Sequence, residues 1–509
     1  MKFKARLSML FLSLIVAAVA FDPVPAQPTS QISPAARAAW GFDRSNLAPH
    51  PGVRFGVLSN GLRYAIMKNA APAGGLSVRL RLDAGANVEG EGERGFIHLI
   101  EHLIFHGTAN IPEGSLPLML AHRGMRHWSD FNAFTSYDET VYRLDMTRSG
   151  TAARDAALLV MREVAGNLLF TRPVVRNAKR KVREEIGARD AAEDGIQAAQ
   201  NAFFAPGTAI ARGPVGGTRS QVGRATGAAL RRLYETHYVP QRTTLVFVGD
   251  FDPETVEAEI AARFSDWRAS GAPAADPPPP LIRAARGREA HLFVHRAAPT
   301  AVTIASTAPL GTGVDAGGRR DTHFLEHLGS LMLNRRLVRV AAGSDAPFLS
   351  GDVAIYDHFS TVRLARIELE ARDRDWRRAL EAGAIELRRA VKRGFSQDEL
   401  DEQLAVTRRN LIRNTAPPAS SALADSIVDH VNRRIVFTAP GDPSGTDAYL
   451  ARIRLAEVNA AFGAAWGQAE PLIFVSHHRR IRNAEAAIAA AWREAWAIPP
   501  DTADKQGGF

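Results

Sequence analysis

"GFIHLIEHLIFHG" (residues 95–107) and "DTHFLEHLGS" (residues 321–330) carry one spacing twice: His98, Glu101 and His102, then His323, Glu326 and His327. His323 lies 225 residues after His98. The same offset carries Phe170–Thr171 onto Phe395–Ser396, each the start of a helix with Thr or Ser as N-cap. Ser396 also has Glu399 three residues on, as a capping box does. A strand-like run precedes each His-containing helix ("LSVRLRLDAG", "TAVTIASTAPLG"), and an apolar strand follows late in each half ("TTLVFVGD", "PLIFVSHH"). These last strands match at an offset of 227, Leu245 onto Leu472. The chain reads as an α+β protein of two homologous domains in tandem duplication, each an antiparallel-rich sheet packed with helices. The first domain spans 50–268 and the second 290–500. Between them, residues 269–289 form a linker whose four successive prolines exclude helix and central strand.

At 509 residues the chain is too long for one ordinary core, which agrees with two domains. Its start, "MKFKARLSMLFLSLIVAAVAFDPVPAQ", places Lys2, Lys4 and Arg6 before an apolar stretch from Leu7 to Ala20. That is the pattern of a signal peptide over residues 1–26, with cleavage after Ala20 or Ala26. The stretch is short for a membrane span. The expectation is export across the inner membrane to a periplasmic location, with no stable membrane span after cleavage. Removing residues 1–26 lowers the formal charge from +9 to +7. No basic cluster is interleaved with aromatics, so nucleic acid is not an expected partner. Arginines scattered along helices read as a solvated face. There is no cysteine, so a transition-metal site must use His and carboxylate ligands.

On a helix, His98 and His102 share a face and Glu101 sits beside them. Two imidazoles so placed can hold one zinc ion, and a neighbouring glutamate can move protons for a bound water. The pentapeptide alone could also be a histidine pair on an ordinary helix, so it needs a third ligand and a context. Elsewhere, "GDFDPETVEAEIAARFSDW" offers Asp252 as N-cap, Pro253 in the first turn, and an apolar stripe of Val256, Ile260 and Phe264. That segment is structural.

Four motifs in order, "GFIHLIEHLIFHGT", "FNAFTSYDETVY" (131–142), "KVREEI" (181–186) and "YVPQRTTLVFVGDFDP" (238–253), resemble the pitrilysin/insulinase family of zinc metallopeptidases, the HxxEH inverzincins. The resemblance runs from about Phe55 to Trp496. It implies one Zn2+ per chain held by His98, His102 and a glutamate in "REEI", with Glu101 as general base. The family pattern puts that ligand just before the Ile, which selects Glu185 over Glu184. It further implies that an edge strand carrying Asn132, Ala133 and Phe134 accepts an extended substrate by backbone pairing; Phe134 fits equally a core side chain. The sequence departs from the family at Ala178, where relatives often carry a supporting acid.

Under the 225 offset Glu185 falls on Asn410 and Glu184 on Arg409, so the second copy lacks its third ligand and gains a base. Glu402 is two turns too early to replace it. The resemblance therefore implies a zinc endopeptidase acting on peptides or unfolded polypeptides, with a non-catalytic second domain. It also implies pairing as a homodimer or with a related chain, because family members enclose substrates between two such halves. The alternatives are a non-catalytic structural or regulatory subunit of a heteromeric peptidase, and a zinc-binding protein without hydrolysis.

Overall fold

Two sheets of matching topology organise the chain. The computed structural model describes residues 32–123, 125, 130–189, 191–269, 289–311, 315–413, 417–439, 443–467 and 470–498. The expected signal peptide at 1–26 and residues 270–288 of the expected linker lie outside the described residues. The first sheet contains β1 (Val53–Val57), β2 (Arg63–Lys68), β3 (Leu76–Leu82), β4 (Phe131–Thr135), β5 (Thr140–Met146) and β6 (Thr243–Gly249), in the order β1-β2-β6-β3-β5-β4. The second contains β7 (Glu289–Val294), β8 (Ala301–Pro309), β9 (Ser350–His358), β10 (Val362–Glu370) and β11 (Leu472–His477), in the order β7-β11-β8-β10-β9.

The duplication holds strand by strand. β6 inserts parallel to β2 and antiparallel to β3, as β11 does between β7 and β8. All other pairs are antiparallel. Leu80 is opposite Leu245 and Tyr142, while Ala305 is opposite Leu472 and Arg366. The offset is therefore 225 at β3/β8, 227 at β6/β11 and 224 at β5/β10. Short length differences in the connections account for the drift, because ladder pairing fixes register within each sheet. β1 is an additional edge strand of the first sheet.

Alternation along β3 decides what each sheet face meets. Leu76, Val78, Leu80 and Leu82 point into the first core. Arg79 and Arg81 point the other way, yet are only 1% and 2% exposed. They are covered by the helix Ser420–Asn432 of the second half, whose Ala424, Ile427 and Val428 pack with Val141, Val246 and Val248. Arg79 pairs with Asp145 (2.9 Å) and Asp425 (2.7 Å), and Arg81 with Glu139 (2.7 Å) and Asn432 (2.8 Å). The reciprocal contact exists. Phe203 and Phe204, on the helix Ala191–Phe204 of the first half, pack with Leu364, Leu472 and Phe474 of the second sheet. Each half thus lends one helix to the other half's sheet.

Local signals behave as their chemistry demands. Asp252 accepts the Thr255 N–H at 2.9 Å, and Val256, Ile260 and Phe264 are fully buried. Ser396 and Glu399 form the reciprocal capping box. Thr171 is an N-cap by backbone only, since its hydroxyl makes no capping bond.

Candidate metal centre

The helix Phe96–Leu103 begins at Gly95, whose φ of 85° is left-handed. A Cβ there would stand 2.5 Å from the Gly216 carbonyl oxygen, so glycine is required by both conformation and space. The helix N-terminus is tied down by Glu89, which accepts the N–H groups of Gly95 (3.1 Å) and Ile97 (2.8 Å). Burial pushes the Glu89 carboxyl up to about 7, against the pull of those amides and of Arg94. Phe96, Ile97, Leu99, Ile100 and Leu103 fill the first core. That packing leaves His98, Glu101 and His102 on the remaining face.

Glu185 comes from the helix Arg172–Ala188. Its Oε2 lies 3.3 Å from His102 Nε2 and 3.7 Å from His98 Nε2, and the two Nε2 atoms are 3.3 Å apart. Four ligands at zinc–nitrogen distances of 2.0–2.1 Å in a tetrahedron stand about 3.3 Å from one another. Two of the three separations have that value and the third, 3.7 Å, is close to it; two imidazoles and a carboxylate are a donor set zinc accepts, so the residues fit the ion. Among the described residues this is the one cluster of three His or carboxylate groups so arranged. The hydrogen bond from His102 holds the Glu185 carboxyl down at about 2, against burial and with help from His98 and Arg189. Arg189 takes the other carboxylate oxygen at 2.8 Å.

Glu101 is 4% exposed and accepts the Thr135 hydroxyl at 2.6 Å. Burial pushes its carboxyl up to about 7, against the attraction of His102 and the Thr135 bond. Burial and the neighbouring His102 push His98 down to about 4. Among the described residues His98 Nδ1 has no hydrogen-bond partner, where imidazole ligands of metals usually have one. The ring backs onto Gly216, whose Cβ, if present, would be 3.3 Å from Nδ1. Ala178 is fully buried in the apolar core and offers no substitute acid.

β4 is the edge strand beside this cluster. The turn bond from Ser136 N–H to the Glu139 carbonyl sets the ladder phase, so Ala133, opposite Tyr142, is a non-hydrogen-bonded position. Its N–H and C=O therefore face the open edge, and the N–H is held by Asn132 Oδ1 at 2.9 Å. Asn132 is exposed and Phe134 is 38% exposed beside the Arg143 guanidinium. Phe134 is not a core residue.

The second copy is assembled differently. Glu326 is ion-paired with Arg363, whose other nitrogen holds Asp357 at 2.8 Å. His323 and His327 join no cluster of ligand type among the described residues. Asn410 and Arg409 are exposed on the helix Gln397–Arg413, and Glu402 pairs with Arg335. The base at the second motif is thus Arg363 from β10, not Arg409 as the offset suggested. A strand neighbour supplies it, and helix spacing carries no trace of it.

Sequence reasoning also missed Glu89, Thr135, Arg189 and Glu163. The last is 1% exposed and accepts from Thr108, Asn110 and Asn167, pinning the loop that leaves the motif helix. Only Arg189, four residues after Glu185, had a local signal.

Comparison with known proteins bears on the family and the fold. Residues 64–205 match "Insulinase (Peptidase family M16)" and residues 224–406 match "Peptidase M16 inactive domain". The probable zinc protease PqqL of Haemophilus influenzae is 30% identical over 213 residues, which are 42% of this chain and 23% of that protein. The first half of the periplasmic protease PqqL from Escherichia coli superposes with a TM-score of 0.77 at 22% identity, covering 89% of this chain and 98% of that one. The whole PqqL structure gives 0.78 at 21% identity, covering 89% of this chain and 51% of that one. The two structural likenesses show the fold alone. The match spans less than a quarter of the curated relative's length, and the fold about half of the whole PqqL structure.

Proposed function

Because the chain belongs to the insulinase (M16) family of peptidases, we propose that it is a zinc-dependent endopeptidase with one centre, formed by His98, His102 and Glu185, and with Glu101 as the proton-transfer group. The observation that carries this reading is the 3.3–3.7 Å triangle of two imidazole nitrogens and one carboxylate oxygen beside a buried glutamate. When bound, zinc supplies Lewis acidity toward a peptide carbonyl and acidifies a water molecule. Glu101 takes the proton of the attacking water and returns it to the leaving amine. A carboxyl pushed toward neutrality by burial suits both steps, because it neither holds nor refuses the proton strongly. Thr135 fixes which way that carboxyl points, and β4 is the same strand whose Ala133 amide and carbonyl face the edge.

An extended peptide added at β4 would meet the backbone of Ala133 after displacing the Asn132 amide, with Asn132 and Phe134 alongside. Backbone pairing needs an unfolded segment and little sequence specificity, which supports oligopeptides and unfolded polypeptides as substrates. A periplasmic location, after removal of residues 1–26, is supported by the leader pattern and by the periplasmic PqqL. No described helix is long and apolar enough to cross a membrane. Pairing with a second copy or a related chain belongs to the same proposal, supported by the further half that the whole PqqL carries. The second half is non-catalytic in this reading, with Arg363 occupying the echo of the motif. Two features, the apolar Ala178 and the unpartnered His98 Nδ1, favour the competing reading of a non-catalytic subunit.

The test is cleavage of a quenched, unstructured peptide library by the zinc-loaded chain and by its Glu101→Gln variant. The expected result is cleavage that chelation stops and a loss of roughly 10²–10⁴-fold in the variant, with zinc still bound. Zinc-loaded wild type that leaves every peptide intact would support the non-catalytic subunit instead.

A further inference from the structure

Along the helix Arg172–Ala188, residues Arg172, Arg176, Lys179, Arg180 and Arg183 recur at helical spacing and form one stripe. They line one wall of an open groove of about 1390 Å3, and Arg219 and Arg231 line the facing segment. Seven cations thus surround the groove with one carboxylate, Glu184, which is already paired with Arg180 at 3.1 Å. Among the described residues Arg172, Arg176, Arg183 and Arg219 have no acidic partner, although arginines elsewhere are widely paired. Lys179 donates to the carbonyls of Gly223 and Ala225, and burial together with Arg183 lowers its pKa. The cluster therefore repels itself, and an anionic occupant would relieve it.

We propose that this groove is a binding site for an acidic, extended peptide segment, set apart from the metal centre. At 100° per residue Glu185 projects from the side of the helix roughly opposite the basic stripe. The groove is larger and more open than a small-molecule pocket, which is commonly about 300–1,000 Å3. Its one aromatic side chain, Phe170, is covered by the Arg231 guanidinium at 5.1 Å, so it offers no platform on which bases could stack. Exposed guanidiniums in a row match carboxylates in a row. The binding claim stands on the groove itself. That the bound segment belongs to a substrate, which reaches around the helix to β4, rests on the peptidase reading above.

The experiment measures binding without turnover. A fluorescein-labelled unstructured peptide carrying eight glutamates, and its eight-glutamine counterpart, are titrated by anisotropy into the full chain bearing Glu101→Gln. The glutamate peptide should bind at least ten-fold tighter, and its affinity should fall steeply as salt shortens the screening length. Arg176→Glu/Arg183→Glu/Arg219→Glu should abolish that preference. The milder Arg176→Gln/Arg219→Gln, checked for a native thermal midpoint, should weaken it by a smaller factor. Equal binding of both peptides, or a preference unchanged in either variant, overturns the proposal. So does an oligothymidylate of equal charge that binds tighter through the same arginines, which would make the groove a general polyanion site. Because no peptide bond is cut, an inactive metal centre leaves every outcome readable.

Discussion

Glu101 and Glu185 are separated by their surroundings. Both are carboxylates beside His102, yet burial pushes one up to about 7 while the hydrogen bond from His102 holds the other down at about 2. One is thereby suited to carry a proton and the other to remain an anionic ligand. The placement of both depends on the start of the motif helix. Gly95 is left-handed and touches the Gly216 carbonyl, and Gly216 in turn backs His98. Gly95→Ala should therefore destabilise the chain by about 2 kcal/mol or more, from left-handed strain plus the clash, and lower zinc retention in the same step. Urea unfolding with metal analysis checks this; a variant with unchanged stability and full zinc would refute it. The histidines and Glu101 were legible because helix spacing and zinc chemistry are local. Glu185 came through family resemblance. Glu89 and Thr135 were not legible, since each acts on a partner that only the fold brings near.

At the scale of elements, β4 is an edge whose open backbone groups are partly guarded. Asn132 holds the Ala133 N–H, so a solitary chain presents one occupied donor where an unguarded edge invites aggregation. In the proposed mode of binding, an incoming peptide strand would exchange that side-chain bond for a backbone one. Ala133→Pro removes the donor, and proline is tolerated on edge strands. The expected result is a raised KM toward unstructured peptides with zinc content unchanged. Steady-state kinetics beside metal analysis measures it, and an unaltered KM would remove β4 from substrate binding. The element pattern itself was widely readable. Asp252, Ser396 and the Val256–Phe264 stripe work as their types dictate, and the order of strand-like runs, with the closing pair at an offset of 227, located equivalent strands. What the offset could not give was Arg363, which reaches Glu326 on the motif helix from β10, a strand that only the fold brings beside it.

Across the whole molecule, the two halves exchange helices. Ser420–Asn432 covers much of the first sheet's second face, beside Trp40 and Phe42 of the first half, and Ala191–Phe204 packs on the second sheet. Two similar halves were visible in the sequence, but the exchange was not, because helices with one apolar stripe do not announce which sheet they serve. The first contact is fastened by Asp425 between Arg79 and Arg143. Burial raises the Asp425 pKa, but bonds to Arg143 and the charge of Arg79 prevail, so it ends below the ordinary 3.8. A carboxyl depressed in the folded state contributes stability that is full above about pH 4 and is lost as pH falls through the depressed value. Wild type should therefore melt above Asp425→Asn at pH 5 and higher, and the gap should close below pH 4. Thermal midpoints against pH for both proteins test this; a gap that stays constant to pH 2 would contradict it.

The most direct test of one complete centre and one inert echo is the zinc content of four purified proteins: wild type, Glu185→Ala, His98→Ala and the His323→Ala/His327→Ala double variant. The expected result is one zinc per chain in wild type and in the double variant, and little in the two single variants. Two zinc ions per wild-type chain, or loss of zinc from the double variant alone, would contradict the account.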